Sequence, residues 1–136
     1  MKSFLRTAVT AVALGALPTL SMAGGNLVIS ANTSDAAPRA AFEEVVDKFK
    51  AANPDINVEF NIIESEAYKT AIRNFLVADK GPDIGFWFAG NRMAGFVSDG
   101  LFGDISSVWK NAGLETAMAS TMPSVTFGGK QYGLPF

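Results

Sequence analysis

The residues of this sequence that are best suited to hold a small ligand lie between positions 87 and 92. Trp87 offers the flat apolar face of its ring, and Asn91 offers an amide that both donates and accepts hydrogen bonds. Arg92 offers a planar, positively charged guanidinium that only donates them. They follow a Gly-Pro-Asp-Ile sequence at residues 81–84 and a short apolar run, which together predict a buried strand that ends in a loop. Because ligands bind just beyond the carboxyl ends of strands in open α/β sheets, this stretch is a candidate binding site.

Covalent chemistry has little support in the composition. The sequence contains neither histidine nor cysteine. That excludes Ser-His-Asp and Cys-His catalysis, thiol nucleophiles and disulfides, and it removes the usual ligands of transition metals. Carboxylates are present, but no pair has a spacing that indicates acid–base catalysis. We therefore expect a protein that is not an enzyme and that needs no metal or other cofactor.

The N-terminus has the features of a secretory signal. A basic start precedes an apolar run at residues 8–20 that is too short and too rich in alanine to span a bilayer. Ser21 and Ala23 place small residues at the two positions that signal peptidase reads. Residues 1–23 are predicted to be a cleaved signal, with an uncleaved anchor as the alternative. Since no cysteine can carry a lipid, we expect a freely soluble protein in the periplasm of a Gram-negative cell.

The charge balance disfavours nucleic acid as a partner. Removal of the signal takes away two of the 11 basic residues and none of the 13 acidic ones, so the mature chain is net acidic. Such a chain lacks the basic patch that would neutralise phosphates.

Hydrophobic periodicity predicts alternating strands and helices in the first part of the mature chain. A largely apolar strand at residues 26–31 is followed by a helix that ends before Pro54. The stripe of this helix that is expected to face a core consists of Phe42, Val45, Val46 and Phe49.

A second strand and helix repeat this pattern. The strand is expected at residues 57–63, and the helix is expected to have Ser65 as its N-cap and Gly81 as its left-handed C-terminal residue. The third strand, which leads to Trp87, is expected to be the central one. Helical crossovers of this length require parallel strands, so the predicted fold class is α/β with helices on both faces of the sheet.

After Arg92 the sequence predicts secondary structure less clearly. Short helices are expected near residues 93–98 and 106–109, followed by a β-hairpin whose strands, residues 124–127 and 130–134, are joined by a Gly-Gly turn. The sequence stops on an apolar Leu-Pro-Phe with no polar tail, which we interpret as a cut inside a larger domain.

Taken in order, these motifs resemble the extracellular solute-binding proteins of bacterial sugar importers, the maltose-binding-like group. The first likeness is the exported N-terminus with its short strand, and the second is a Phe-rich helix that ends in the Asn-Pro-Asp-Ile-Asn-Val of residues 53–58. The third runs from Gly-Pro-Asp-Ile to Asn-Arg at residues 81–92 and on to Gly-Leu-Phe at 100–102. The fourth is Gly-Lys-Gln-Tyr-Gly-Leu-Pro at residues 129–135.

The resemblance implies a type II periplasmic-binding-protein fold. In that family two α/β lobes hold a sugar between them, and closure about a hinge presents the loaded protein to the membrane permease of an ABC importer. The signal at 1–23 would then be followed, at residues 24–136, by an incomplete N-terminal lobe of a monomeric protein.

The resemblance also implies ligand contacts from the loops after the first three strands. Carried over residue by residue, these contacts are Asn32, Thr33, Ser34, Glu64, Ser65, Trp87, Asn91 and Arg92. The maltose group has Asp at the position of Asn91, and this chain has one extra residue between Trp87 and Asn91, so the identity of the sugar stays open. The apolar face of a sugar ring suits an aromatic plate, and its hydroxyls suit the polar side chains around that plate.

Each candidate also has a plainer interpretation. Trp87 could be an ordinary core residue, and Asn91 with Arg92 could form a solvated loop and cap. Glu64 could be a first-turn acid that the helix dipole favours.

The residues around Trp87, and Trp109 further along the chain, are expected to have structural roles. Phe86 and Phe88 alternate with Trp87 and are expected to pack on the opposite side of the strand. Asp83 is expected to anchor the start of that strand, and Trp109 to pack in the core.

Two rival functions stay open at this point. The nearest is a binding protein for another solute, such as a polyamine or a ferric ion, although iron sites of this type favour tyrosines and the sequence has only Tyr68 and Tyr132. The other is a nucleotide-dependent α/β enzyme, but the loop at residues 29–34 lacks the glycines of a dinucleotide fingerprint. A structural or adhesive role has no positive indication in the sequence.

Overall fold

The computed structural model describes residues 24–33 and 35–135. The predicted signal at residues 1–23 lies outside the described residues, and so do Ser34 and Phe136. Among the helices of the described ranges, none is long and apolar enough to cross a membrane.

The described residues are organised around a parallel sheet. Its order is β2-β1-β3, with β1 at Asn26–Ala31, β2 at Asn57–Ile62 and β3 at Ile84–Gly85. Leu27 of β1 is in register with Val58 of β2, and the pairs that follow at every second residue are also apolar, so one face of the sheet is continuously apolar. The parallel α/β class that the sequence predicts is confirmed.

The predicted position of the third strand in the sheet is wrong. Within the sheet of the described residues, β1 is the central strand, and β3 is a two-residue strand at the edge on which Ile84 is 49% exposed. A short apolar run between turns predicts burial but not a partner strand on each side. The N–H of Phe86 still donates to the carbonyl of Ser30 on β1 at 3.3 Å, but the aromatic side chains after β3 pack against helices.

Five helices and a hairpin complete the described chain. The helices are α1 (Ala36–Ala52), α2 (Ser65–Val77), α3 (Asn91–Ser98), α4 (Ser106–Asn111) and α5 (Leu114–Ala117). A 3-10 turn at Met122–Val125 leads into the hairpin of β4 (Thr126–Phe127) and β5 (Lys130–Gln131). The Gly128 and Gly129 turn is confirmed, with φ angles of 56° and 80° that suit a tight hairpin, although the strands are shorter than predicted.

The predicted apolar stripe of α1 is only partly covered. Val46 is buried, and the ring of Phe42 meets that of Phe86 edge to face, with 4.6 Å between centroids. Val45 is 63% exposed and Phe49 is 37% exposed, so the prediction is wrong for these two residues. Only two strands of the described sheet are of full length, and they cover a narrow strip of the helix.

The N-terminus of α2 is capped by a carboxylate. Glu64 is the N-cap residue, and its side chain accepts hydrogen bonds from the backbone N–H groups of Glu66 and Ala67 at 2.9 and 3.0 Å. The predicted cap at Ser65 is therefore wrong, since the charged neighbour satisfies the free N–H groups and also suits the positive end of the helix.

The C-terminus of α2 uses an aspartate in the left-handed conformation. Asp79 has a φ of 54°, its N–H donates to the carbonyl of Leu76, and the next N–H, of Lys80, donates to the carbonyl of Phe75. This is the Schellman arrangement, and it places the left-handed residue two positions before the predicted Gly81. Aspartate tolerates this conformation better than most residues, so the helix can end before the glycine.

Asp79→Ala is expected to leave the protein about 1 kcal/mol less stable than Asp79→Gly, because only alanine incurs the steric cost of a left-handed backbone. Urea unfolding of the full-length protein with each substitution measures the difference. Equal stabilities of the two variants would contradict the left-handed C-terminus of α2.

In the described part of the chain, two clusters of buried side chains form the core. One consists of Tyr68, Ile72 and Phe96, and the other of Met93, Trp109 and Val125. Trp109 is fully buried and its Nε1–H donates to the carbonyl of Gly133 at 3.0 Å, which confirms its predicted packing role. Half-buried Trp87 packs against both clusters, so the candidate binding residue is joined to the core.

Candidate ligand-binding site

The start of the site is fixed by an aspartate at the sheet edge. The carboxylate of Asp83 accepts a hydrogen bond from the N–H of Val28 at 2.8 Å, and the N–H of Asp83 donates to the carbonyl of the same residue at 2.9 Å. This confirms that Asp83 anchors β3 to β1. The segment that follows is therefore held beside the carboxyl end of β1.

The aromatic residues after β3 do not alternate as the sequence predicts. Residues 86–89 lie in neither a strand nor a helix, so the two-residue period of a strand does not apply to them. The ring of Phe88 lies next to the indole of Trp87, with 5.7 Å between centroids, and is 37% exposed. The prediction that Phe88 packs on the opposite side from Trp87 is wrong, whereas Phe86 does turn away to meet Phe42 of α1.

The indole of Trp87 has a fixed orientation. Its Nε1–H donates to the backbone carbonyl of Arg92 at 3.0 Å, and its ring lies 4.7 Å from that of Phe96, centroid to centroid. The side chain is half-buried. Trp87 therefore contributes to packing and still offers part of its surface to solvent.

The polar residues of the segment lie in the first turn of α3. Asn91 and Arg92 are both exposed, and the helix begins two residues earlier than predicted, so they belong to a helix instead of a loop. Gly90 is the N-cap residue, and its N–H donates to the carbonyl of Ser124 at 2.7 Å. The first turn of α3 is thereby tied to the segment that leads into the hairpin.

Gly90→Ala is expected to destabilise the protein by about 1–3 kcal/mol, because a φ of 67° with a ψ of −141° is open almost only to glycine. An added Cβ would meet no atom within 4 Å, so the whole loss is conformational. Gly95→Ala is the matched control, since it also adds a Cβ to open space but lies inside α3, where alanine is favoured. Thermal unfolding should show a lower melting temperature for Gly90→Ala and a higher one for Gly95→Ala. Shifts of the same sign would contradict the positive φ of Gly90 at the start of α3.

The loops after β1 and β2 contact each other. The hydroxyl of Ser65 donates to the carbonyl of Asn32 at 3.4 Å, and both Asn32 and Thr33 are half-buried. Ser34, also a predicted contact, lies outside the described residues. The parallel strands bring these loops to the same edge of the sheet as the segment after β3.

Glu64 lies at this edge with its carboxylate already engaged. The hydrogen bond from the N–H of Ala67, followed by that from Glu66, lowers the pKa of the Glu64 carboxyl below its ordinary value. The side chain is exposed and stays ionised at neutral pH. It can accept a ligand hydroxyl only with the lone pairs that the helix cap leaves free.

Phe88, which lies beside Trp87, and Lys69, which lies beside Phe88, were not assigned to the site from the sequence. The guanidinium of Arg92 lies 4.5 Å from the centroid of the Phe88 ring, and the ammonium of Lys69 on α2 lies 5.6 Å from it. Phe88 was missed because the Phe-Trp-Phe run predicts alternation. The one sequence signal for Lys69 is that it lies one helical turn after Ser65, the predicted contact at the start of α2.

The structure disfavours Tyr68 as a ligand of a ferric ion. Tyr68 is 1% exposed, and its hydroxyl accepts a hydrogen bond from the N–H of Phe86 at 2.9 Å. Burial raises the pKa of this phenol, which opposes the deprotonation that iron ligation needs. Within the described ranges, acidic side chains also form no group of three that could hold a metal ion.

Together these features define a class of protein. A parallel α/β sheet carries an oriented aromatic ring and several polar side chains at its carboxyl edge, which is the usual ligand-binding edge of such folds. The model of the family described as bacterial extracellular solute-binding protein matches residues 32–136. The chain belongs to this family.

Solved structures agree with this assignment. A structure from work on xylan utilization by Caldanaerobius polysaccharolyticus has a TM-score of 0.74 and 26% identity, and the match covers 82% of this chain and 28% of that one. An ABC transporter solute-binding protein from Thermotoga lettingae bound with α-D-tagatose has a TM-score of 0.70 and 27% identity, over 82% of this chain and 29% of that one. The fold is that of a type II periplasmic binding protein.

A third structure supports the fold alone. The bacterial solute receptor AcbH, described as having an exclusive preference for β-D-galactopyranose, has a TM-score of 0.65 and 23% identity, over 79% of this chain and 27% of that one. The chain thus spans less than a third of the length of each of these three structures. Comparison with curated protein sequences gave no match.

Proposed function

We propose that this chain is part of the substrate-binding component of a bacterial carbohydrate ABC importer. The whole protein captures a sugar between two lobes and delivers it to the membrane permease, and residues 24–136 belong to the N-terminal lobe. The observation that carries the proposal is the oriented, half-exposed indole of Trp87 at the ligand-binding edge of a chain from this family. The tagatose bound to the similar protein from Thermotoga lettingae supports a sugar as the ligand.

The proposed contacts divide by chemistry. Trp87 stacks on the apolar face of the sugar ring, and the ring hydroxyls are bound by the polar side chains around it. Those side chains are Asn32, Thr33, Ser34, Glu64, Ser65, Asn91 and Arg92. Asparagine suits a hydroxyl because both groups donate and accept, whereas Glu64 only accepts.

The proposal includes an export route and a form of the protein. The signal at residues 1–23 is cleaved, the protein is released into the periplasm without a lipid anchor, and it works as a monomer. It binds no nucleic acid and catalyses no reaction. Its macromolecular partners are the permease subunits of the importer.

Cleavage is expected directly after Ala23, because Ser21 and Ala23 are the small residues that signal peptidase selects. N-terminal sequencing of the protein from a periplasmic extract measures the cleavage site. Ala23→Gln should block processing, since the large side chain does not fit the peptidase. A mature protein that begins at Met1, or that stays in the membrane pellet, would contradict this prediction.

The proposed function is tested by a thermal-shift screen of the full-length mature protein against sugars, polyamines and ferric citrate. A sugar present at 100 times its dissociation constant is expected to stabilise the folded protein by about 2.7 kcal/mol and to raise its melting temperature. A shift with a polyamine or with iron, and none with any sugar, would overturn the proposed function.

A further inference from the structure

The exposed ring of Phe88 gathers two cations from different helices. The guanidinium of Arg92, in the first turn of α3, lies 4.5 Å from the ring centroid, and the ammonium of Lys69, on α2, lies 5.6 Å from it. Cations are held near an aromatic ring by its quadrupole, so both charges have a preferred position. Phe88 itself is 37% exposed and touches Trp87, which places this cation pair beside the proposed sugar plate.

The charge of Arg92 is not balanced by a neighbouring carboxylate. Lys69 is paired with Glu66 at 2.6 Å, whereas none of the ion pairs among the described residues includes Arg92. The other acid of the site, Glu64, accepts hydrogen bonds from two backbone N–H groups of its own helix and keeps its negative charge. The charge of Lys69 is thus offset by Glu66 and also interacts with the ionised Glu64, whereas Arg92 has no ion pair within the described part of the chain.

The donors of this pair match one kind of ligand group. Arginine and lysine only donate hydrogen bonds, while each hydroxyl of a neutral sugar both donates and accepts. A carboxylate only accepts, and its two oxygens fit the planar fork of a guanidinium. Arg92 is the one cation of the two without an ion pair in the described part of the chain, and a single guanidinium suits a monoanion better than a doubly charged phosphate.

We propose that the ligand is an acidic sugar, a uronic acid or an oligosaccharide that contains one, whose carboxylate is bound by Arg92 with Lys69 beside Phe88. This inference rests on the proposed function, because it assumes that a sugar ring lies against Trp87. It assigns to Phe88 the role of holding the two cations in place.

The test is calorimetric titration of the full-length mature protein with matched sugars. The pairs are galacturonate with galactose and glucuronate with glucose, each as the monosaccharide and as the 1,4-linked disaccharide, so that the members of a pair differ in the carboxylate at C6. For at least one pair we expect the acidic member to bind about tenfold more tightly, the effect of one charge-assisted hydrogen bond. Its affinity should also fall as the ionic strength rises.

Substitutions locate the effect. Arg92→Gln is expected to lower the ratio of acidic to neutral affinity by about tenfold, and Phe88→Leu should lower the same ratio by releasing both cations. Arg39→Gln is the matched control, since it removes the same charge from the exposed surface of α1 and should leave the ratio unchanged. Arg92 is exposed, and Trp87 bonds only its backbone carbonyl, so Arg92→Gln should keep the parent's melting temperature.

The outcomes separate the inference from the proposed function. If the neutral member of every pair binds as tightly as the acidic one, or if Arg92→Gln leaves the ratio unchanged, the acidic-sugar inference is overturned and the sugar-binding function stands. If no acidic or neutral sugar binds in these titrations and none gives a shift in the thermal-shift screen, both are overturned.

Discussion

Trp109→Ala is expected to lower the free energy of unfolding by about 3–5 kcal/mol, the largest stability effect of any substitution considered for this protein. The side chain is fully buried, packs with Met93 and Val125, and donates to the carbonyl of Gly133. The substitution therefore opens a cavity and also leaves that carbonyl without its donor. Urea unfolding of the full-length protein, followed by circular dichroism, measures the change.

Val108→Ala is the control for this prediction. Val108 is the neighbour of Trp109 on α4, but it is 44% exposed, so its truncation should change stability by less than about 0.5 kcal/mol. Trp109→Phe should fall between the two, since it retains most of the packing and loses the hydrogen bond. If Trp109→Ala proves as mild as Val108→Ala, the packing of Trp109 with Met93 and Val125 is contradicted.

Trp87→Ala is expected to weaken sugar binding by about ten- to a hundredfold. Loss of one stacking aromatic costs on the order of 1–3 kcal/mol, by analogy with bases that stack on aromatic side chains. Because Trp87 also packs against both core clusters, the same substitution should lower the melting temperature. Calorimetric titration well below the variant's melting temperature measures the binding effect on folded protein.

A second variant separates stacking from stability. Phe96 is 6% exposed and lies beneath the indole, 4.7 Å from it, so Phe96→Leu should destabilise the protein while leaving the ligand-facing surface of Trp87 in place. If binding is lost in Trp87→Ala and kept in Phe96→Leu, the result supports stacking of the sugar ring on Trp87. If the two variants lower both affinity and stability to the same extent, Trp87 acts through the core alone.

The framework was predictable where local patterns decide it. The bounds of β1, the first helix and the Gly-Gly hairpin turn follow from apolar periodicity and turn chemistry, and the structure agrees with them. The N-cap of α2 and its left-handed C-terminal residue were each misplaced, because Glu64 can cap the helix as well as Ser65, and Asp79 tolerates the left-handed conformation two positions before Gly81. Local propensity does not say which neighbour the tertiary structure selects.

The site was only partly predictable for a related reason. The sequence identifies Trp87, Asn91 and Arg92 by residue type, but it assumes a strand through residue 88, and that assumption assigns Phe88 to the wrong side. Lys69 is distant in sequence and reaches Phe88 only through the packing of α2 beside the segment after β3. A contact of this kind depends on tertiary structure, which periodicity does not encode.

The claim that a sugar binds against Trp87 is tested most directly by a crystal structure of the full-length protein with the sugar that most stabilises it. We expect the sugar ring to lie against Trp87 at the carboxyl edge of the β2-β1-β3 sheet, within hydrogen-bonding distance of Asn91 or Arg92, with a second lobe closed over it. A sugar bound elsewhere on the protein, with Trp87 untouched, would contradict the claim.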